Sequence, residues 1–146
     1  MKQWAEERWF PVIKNRPIIN ILFNGWVVFH FLNSEDMNWI LKVPSVKGRG
    51  FLILQRWKAR FDPLERLGRQ YIWAKLQGLP LELWNEEVIK EITNKIGNYY
   101  YLDVASFKHL DKRMAWVLIE VELGRGLTTE LEIHWSNFSF TLAIDY

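Results

Sequence analysis

The sequence contains no cysteine. Disulfides, thiolate zinc sites and a cysteine nucleophile are therefore excluded within it. No apolar run approaches the roughly 20 residues that a membrane helix needs. The opening MKQWAEERWF is charged and amphipathic, without the apolar core of a secretory leader. Histidine is scarce, and His30, His109 and His134 stand far apart, none at metal-ligand spacing from a partner. The glycines do not form a phosphate loop: KGRG (47–50) and LGRG (123–126) hold only Gly-x-Gly, without the GxGxxG spacing or a Gly-Lys-Ser/Thr ending. A nucleophile elbow is missing too. Glu120 and Glu122 fall on one face of an expected strand, but alternating glutamates are the ordinary pattern of a solvated strand face, and no second catalytic element accompanies them. These absences predict an intracellular protein, nuclear or cytoplasmic, that is not an enzyme, spans no membrane and carries no metal or cofactor.

What is abundant is aromatic and unevenly charged. Apolar residues make up 49% of the chain and aromatics 16%, enough for a core and too many for a disordered segment. Nine tryptophans are more indoles than a small domain buries easily with every N–H satisfied, so some are expected at a surface. Residues 1–70 carry 12 Lys/Arg against 6 Asp/Glu, whereas residues 71–146 carry 7 against 11. Most of the basic excess lies between Lys42 and Arg69, with 8 basic and 2 acidic side chains. Such asymmetry predicts one side that faces a polyanion and another used differently.

Periodicity predicts an α+β fold of mostly antiparallel sheets with helices on one face. Residues 1–57 read as a first module, α-β-β-α-β. Its helix over 2–13 stops at Asn15–Pro17, and Asn24-Gly25 marks a two-residue hairpin. GWVVFHF (25–31) is a strand with Val27, Phe29 and Phe31 on one face. Ser34 is the expected cap of a short helix, and FLILQRW (51–57) a further strand. Residues 58–70 read as a basic linker. Residues 71–146 read as a second module, β-α-β-β-β-β: the strand YIWAKL (71–76), a helix capped by Asn85 and closed by Gly97, the strands 99–107 and 114–123, and a hairpin across Ser136-Asn137. The first module lacks an opening strand, a vacancy that 71–76 is a candidate to fill.

RNA-recognition motifs carry a central strand of the form basic-Gly-aromatic-Gly/Ala-aromatic-Val-x-aromatic. Residues 24–31 follow it from Asn24 through Gly25, Trp26 and Phe29 to Phe31, with Val28 where a second aromatic is expected. KRMAWVLI (112–119) repeats the idea with Ala115, Trp116 and Val117, and Trp73 occupies the companion position on a neighbouring strand. An aromatic plane on an open sheet stacks on an unpaired base, and adjacent cations neutralise phosphates. The chain therefore reads as a fusion of two β-α-β modules, RRM-like or ferredoxin-like, binding RNA or another single-stranded nucleic acid. Lys42, Lys47, Arg49, Arg56, Lys58, Arg60, Arg66 and Arg69 are the phosphate candidates. Trp26 and Trp57 are the first stacking candidates, with Trp73 and Trp116 ranked below them because strand aromatics are more often core. The rival reading is a protein-interaction or self-assembly module, motivated by the tryptophan excess and the acidic second half.

Several strings together resemble the gag-like domain of plant LINE-type retrotransposon first open reading frames: GWVVFHFLNSEDMNWIL (25–41), LQRWKARFDP (54–63), YIWAKLQGLPLELWNEEVI (71–89), Ile96-Gly97 followed by Asp103, and AWVLIEVEL (115–123). The resemblance covers nearly the whole chain. It implies nucleic-acid binding in a retrotransposon-derived protein and supplies no catalytic residues. It also implies a CCHC zinc knuckle on the C-terminal side, which a cysteine-free sequence cannot build. Residues 43–47 lack the tryptophan commonly found after the second helix of that family.

Overall fold

Pro11 decides how the chain begins. It has no N–H to return to the carbonyl four residues back, and its ring crowds that carbonyl. The helix α1 accordingly spans only Lys2–Arg8, and residues 9–13 continue as turns in which the Val12 and Ile13 N–H groups both donate to Trp9. The expected helix over 2–13 is thus cut short by Pro11, well before Asn15–Pro17. In this computed structural model, described for residues 2–23, 25–47, 49–64, 69–105, 114–122 and 124–146, the chain divides into two compact units, Met1–Arg66 and Leu67–Tyr146. The architecture is α+β, and among the described residues every strand pairing is antiparallel.

In the first unit, β1 (Ile18–Ile21) and β2 (Val27–His30) form a two-stranded ribbon. The Leu22 N–H donates to the Trp26 carbonyl at 2.8 Å, closing a loop one residue longer than a two-residue hairpin, with Gly25 left-handed at φ +79. Asn24 lies outside the described residues. The next helix, α2 (Ser34–Lys42), is capped by Asn33, one residue before the expected Ser34. Asn33 Oδ1 accepts the Asp36 N–H at 2.8 Å while its amide donates to the Asp36 carboxylate at 2.9 Å, a reciprocal box. The buried Asp36 also accepts the backbone N–H groups of Lys14 and Asn15, each at 3.2 Å, and so ties the turn after α1 to α2. Ala5, Trp9, Ile13 and Ile40 form the core, with Ile19, Phe29 and Phe31 packed against it.

The strand expected over 51–57 is mostly absent. A short β3 (Ser45–Lys47), which the periodicity did not suggest, pairs with β4 (Gly50–Leu52), and no strand follows over 53–58. The last pair is Ser45 opposite Leu52, and the next partner in register is Pro44, which has no N–H to extend a ladder. Neither β3 nor β4 pairs with residues 71–76, so that segment does not fill the first unit's vacancy.

The second unit is built on a five-stranded sheet of order β6-β7-β5-β9-β8, from β5 (Arg69–Gln77), β6 (Asn98–Leu102), β7 (Met114–Glu122), β8 (Glu130–Trp135) and β9 (Phe138–Asp145). A 3-10 turn at Leu81–Leu83 leads into α3 (Glu86–Thr93), whose cap Asn85 accepts the Val88 N–H at 2.9 Å. Ile89 and Ile92 from α3 pack on Ala74, Leu76, Ala115, Val117, Ile119, Leu142 and Ile144 from the sheet. Gly97 is not the left-handed helix stop its position suggests. A Cβ there would lie 2.9 Å from the Glu120 carbonyl oxygen, so the glycine is required by close backbone approach to β7.

Candidate nucleic-acid interface

In the first unit, residues 53–64 run as irregular chain, yet aromatic contacts hold them in place. The Trp26 indole N–H donates to the Pro63 carbonyl at 3.0 Å, and its ring meets Phe61 edge-on with centroids 4.8 Å apart. Phe61 is in turn tilted against Trp57 at 5.2 Å. Trp26 is therefore half-buried with its N–H engaged, an anchor for the segment and a poor platform for a base. Trp57 is the reverse case, with 66% of its surface exposed.

Trp57 is flanked in sequence by Arg56, Lys58 and Arg60, all exposed. The Arg56 guanidinium donates to the Asn38 side-chain carbonyl on α2. Lys42 lies one helical turn beyond Asn38 on the same face of α2, so Arg56 reaches the helix face that also carries Lys42. Arg60 takes a left-handed conformation, φ +59, where the segment turns toward Phe61. Sequence reasoning missed Asn38 as the residue that positions Arg56. Nothing local in the sequence reveals that the Phe61 ring sits between two tryptophans.

The remaining candidates are less concentrated. Arg49 is exposed at the turn between β3 and β4. Lys47 contributes its backbone to β3 opposite Gly50, while its side chain and all of Arg66 lie outside the described residues. Arg69 is the first residue of β5 and not part of a linker. Its guanidinium donates to Glu120 at 2.7 Å, and that carboxylate also accepts the Tyr71 hydroxyl at 3.2 Å.

Trp73 and Trp116 stand on the sheet face opposite α3, since they alternate with the core residues Ala74, Leu76, Ala115 and Val117. Both are half-buried. Trp73 and Tyr101 flank Leu118 in register, yet their centroids are only 6.4 Å apart, less than the two strand spacings that separate β5 from β6. The rings thus lean toward one another over Leu118, which is fully buried. Tyr71 and Tyr100 meet edge-on at 5.5 Å beside them. Lys75 lies 6.0 Å from the Trp116 ring centroid and 3.8 Å from the Asp145 carboxylate. The cations of this face are thus matched by carboxylates, which disfavours a phosphate chain there.

Among the described residues, no group of three or more His, Asp or Glu is placed to hold a metal, and no helix is long and apolar enough to cross a membrane. No family model, curated protein or solved structure matches the chain.

Proposed function

We propose that this protein is a non-catalytic binder of single-stranded nucleic acid, RNA in the first instance, that uses the segment around Trp57. One observation carries the reading: an indole left mostly uncovered among Arg56, Lys58 and Arg60, on a segment that Trp26 and Phe61 hold in place. Stacking on an exposed aromatic contributes roughly 1–3 kcal/mol per base and requires an unpaired base. The cations supply salt-dependent phosphate attraction. The ordered segment limits the entropy lost on binding.

The second unit supports a relation to the RRM-like fold. Its chain order β5-α3-β6-β7 and spatial order β6-β7-β5-β9 correspond to an RRM sheet in which β8 stands where the second helix would come. Trp73 and Trp116 then occupy the aromatic positions of that sheet. Together with the sequence resemblance, this favours a retrotransposon-derived, gag-like role.

Fluorescence anisotropy with labelled single-stranded RNA tests the reading. Binding at low salt that falls in Trp57→Ala, and falls further in the Arg56, Lys58, Arg60 triple alanine variant, is the expected result. No binding at low salt, or binding indifferent to both variants, overturns it.

A further inference from the structure

From Pro17 to Ser34 the sequence contains no Asp, Glu, Lys or Arg, and this uncharged stretch forms the β1–β2 ribbon. A strand edge is normally guarded by charge, proline, a bulge or a covering element, because its unpaired N–H and C=O groups are a template for another strand. Among the described residues β1 pairs only with β2. The Leu22 to Trp26 bond sets the alternation of the ladder: Asn20 and Ile18 bond inward to Val28 and His30, so the N–H and C=O groups of Ile19 and Ile21 point outward. Large apolar side chains accompany this edge, with Ile18 63%, Ile21 75% and Phe23 60% exposed.

We infer that the outer edge of β1 pairs antiparallel with β1 of a second copy of this chain, on a two-fold axis through Asn20. In that register Ile19 of each copy exchanges both backbone bonds with Ile21 of the other. Asn20 faces its own counterpart, and Ile18 lies opposite Leu22 on the same face. Pro17, which has no N–H, ends the pairing on one side, and the hairpin turn ends it on the other. Neutrality favours a second copy over a charged partner strand. The antiparallel arrangement sets the nearest cation, Arg16, against the turn of the opposite copy, so no like charges meet. With so few strand residues the contact belongs to the small, weak class of interfaces.

Sedimentation velocity on the whole chain, from roughly 1 to 300 µM, tests the dimer. The expected result is a concentration-dependent passage from monomer to dimer, with dissociation at least about tenfold easier in Ile21→Lys. Ile18→Lys, on the face turned away from the core, is the second variant should Ile21→Lys fail to fold by circular dichroism. A monomer at every concentration, assemblies without a dimer step, or a dimer unmoved by the folded variants overturns the inference. RNA affinity of the monomeric variant, measured in parallel, separates failure here from failure of the nucleic-acid reading.

Discussion

The indole N–H of Trp26 donates to the carbonyl of Pro63, 37 positions along the chain, at 3.0 Å. This bond turns one of the two first stacking candidates into the anchor of the segment that carries the other. Trp26→Phe keeps the ring contact with Phe61 but leaves the Pro63 carbonyl without its donor, a loss of about 1 kcal/mol. Denaturant unfolding is expected to register that loss. Trp57→Ala is expected to leave the unfolding midpoint nearly unchanged, since the exposed indole contributes little to the core, while it lowers RNA affinity. The two tryptophans thereby separate stability from binding.

Salt dependence reports how many cations lie on phosphate. Each phosphate contact with a single strand contributes about 0.7 to the slope of log affinity against log salt, so alanine at Arg56, Lys58 and Arg60 together is expected to reduce that slope by about 2. Arg69→Ala is expected to leave the slope unchanged, because its guanidinium already serves Glu120. Titrations at four or five salt concentrations check both outcomes.

Gly97→Ala is expected to destabilise the second unit by about 1–3 kcal/mol, as overpacking does. The added Cβ would sit 2.9 Å from the Glu120 carbonyl oxygen and 3.2 Å from side-chain carbons of Ile119 and Val121. Backbone cannot give way as a flexible side chain can. Thermal unfolding followed by circular dichroism measures the effect.

Asp36 is expected to make stability fall in acid. Desolvation raises its pKa, but hydrogen bonds from the Asn33 amide and the Lys14 and Asn15 N–H groups, with the Lys14 charge, outweigh that effect and hold it below the ordinary value. A depressed carboxyl contributes stability that is complete above a pH of about 4 and is lost as the pH falls through the folded pKa. Asp36→Asn is expected to lower the melting temperature at neutral pH and to flatten its decline between pH 5 and pH 2, by roughly the share this one carboxylate supplies. Melting curves across that range check it.

Much of the second unit was legible in the residues themselves. The Asn85 cap followed by two glutamates, the Val88-Ile89-Ile92-Ile96 stripe, the alternation of β7 and the Ser136-Asn137 turn are local signals. Each is read within one or two turns of chain, and α3, β5, β7 and the β8–β9 hairpin appear where the sequence placed them, while β6 ends at Leu102, short of the expected 99–107. In the first unit the same reasoning placed the ribbon and α2, yet it ran the strand after Gly50 to Trp57. A strand lasts only as long as its partner, and Pro44 ends that partner.

The sequence by itself determined that one indole and three cations would occur together over 56–60, and that no thiol chemistry was available. Only the tertiary structure decided which indole remained open. Trp26 and Trp57 have the same chemistry and both touch Phe61, but only Trp26 has its N–H taken by Pro63, from far along the chain. Exposure is a property of what packs against a ring, and contacts that distant leave no trace in local periodicity.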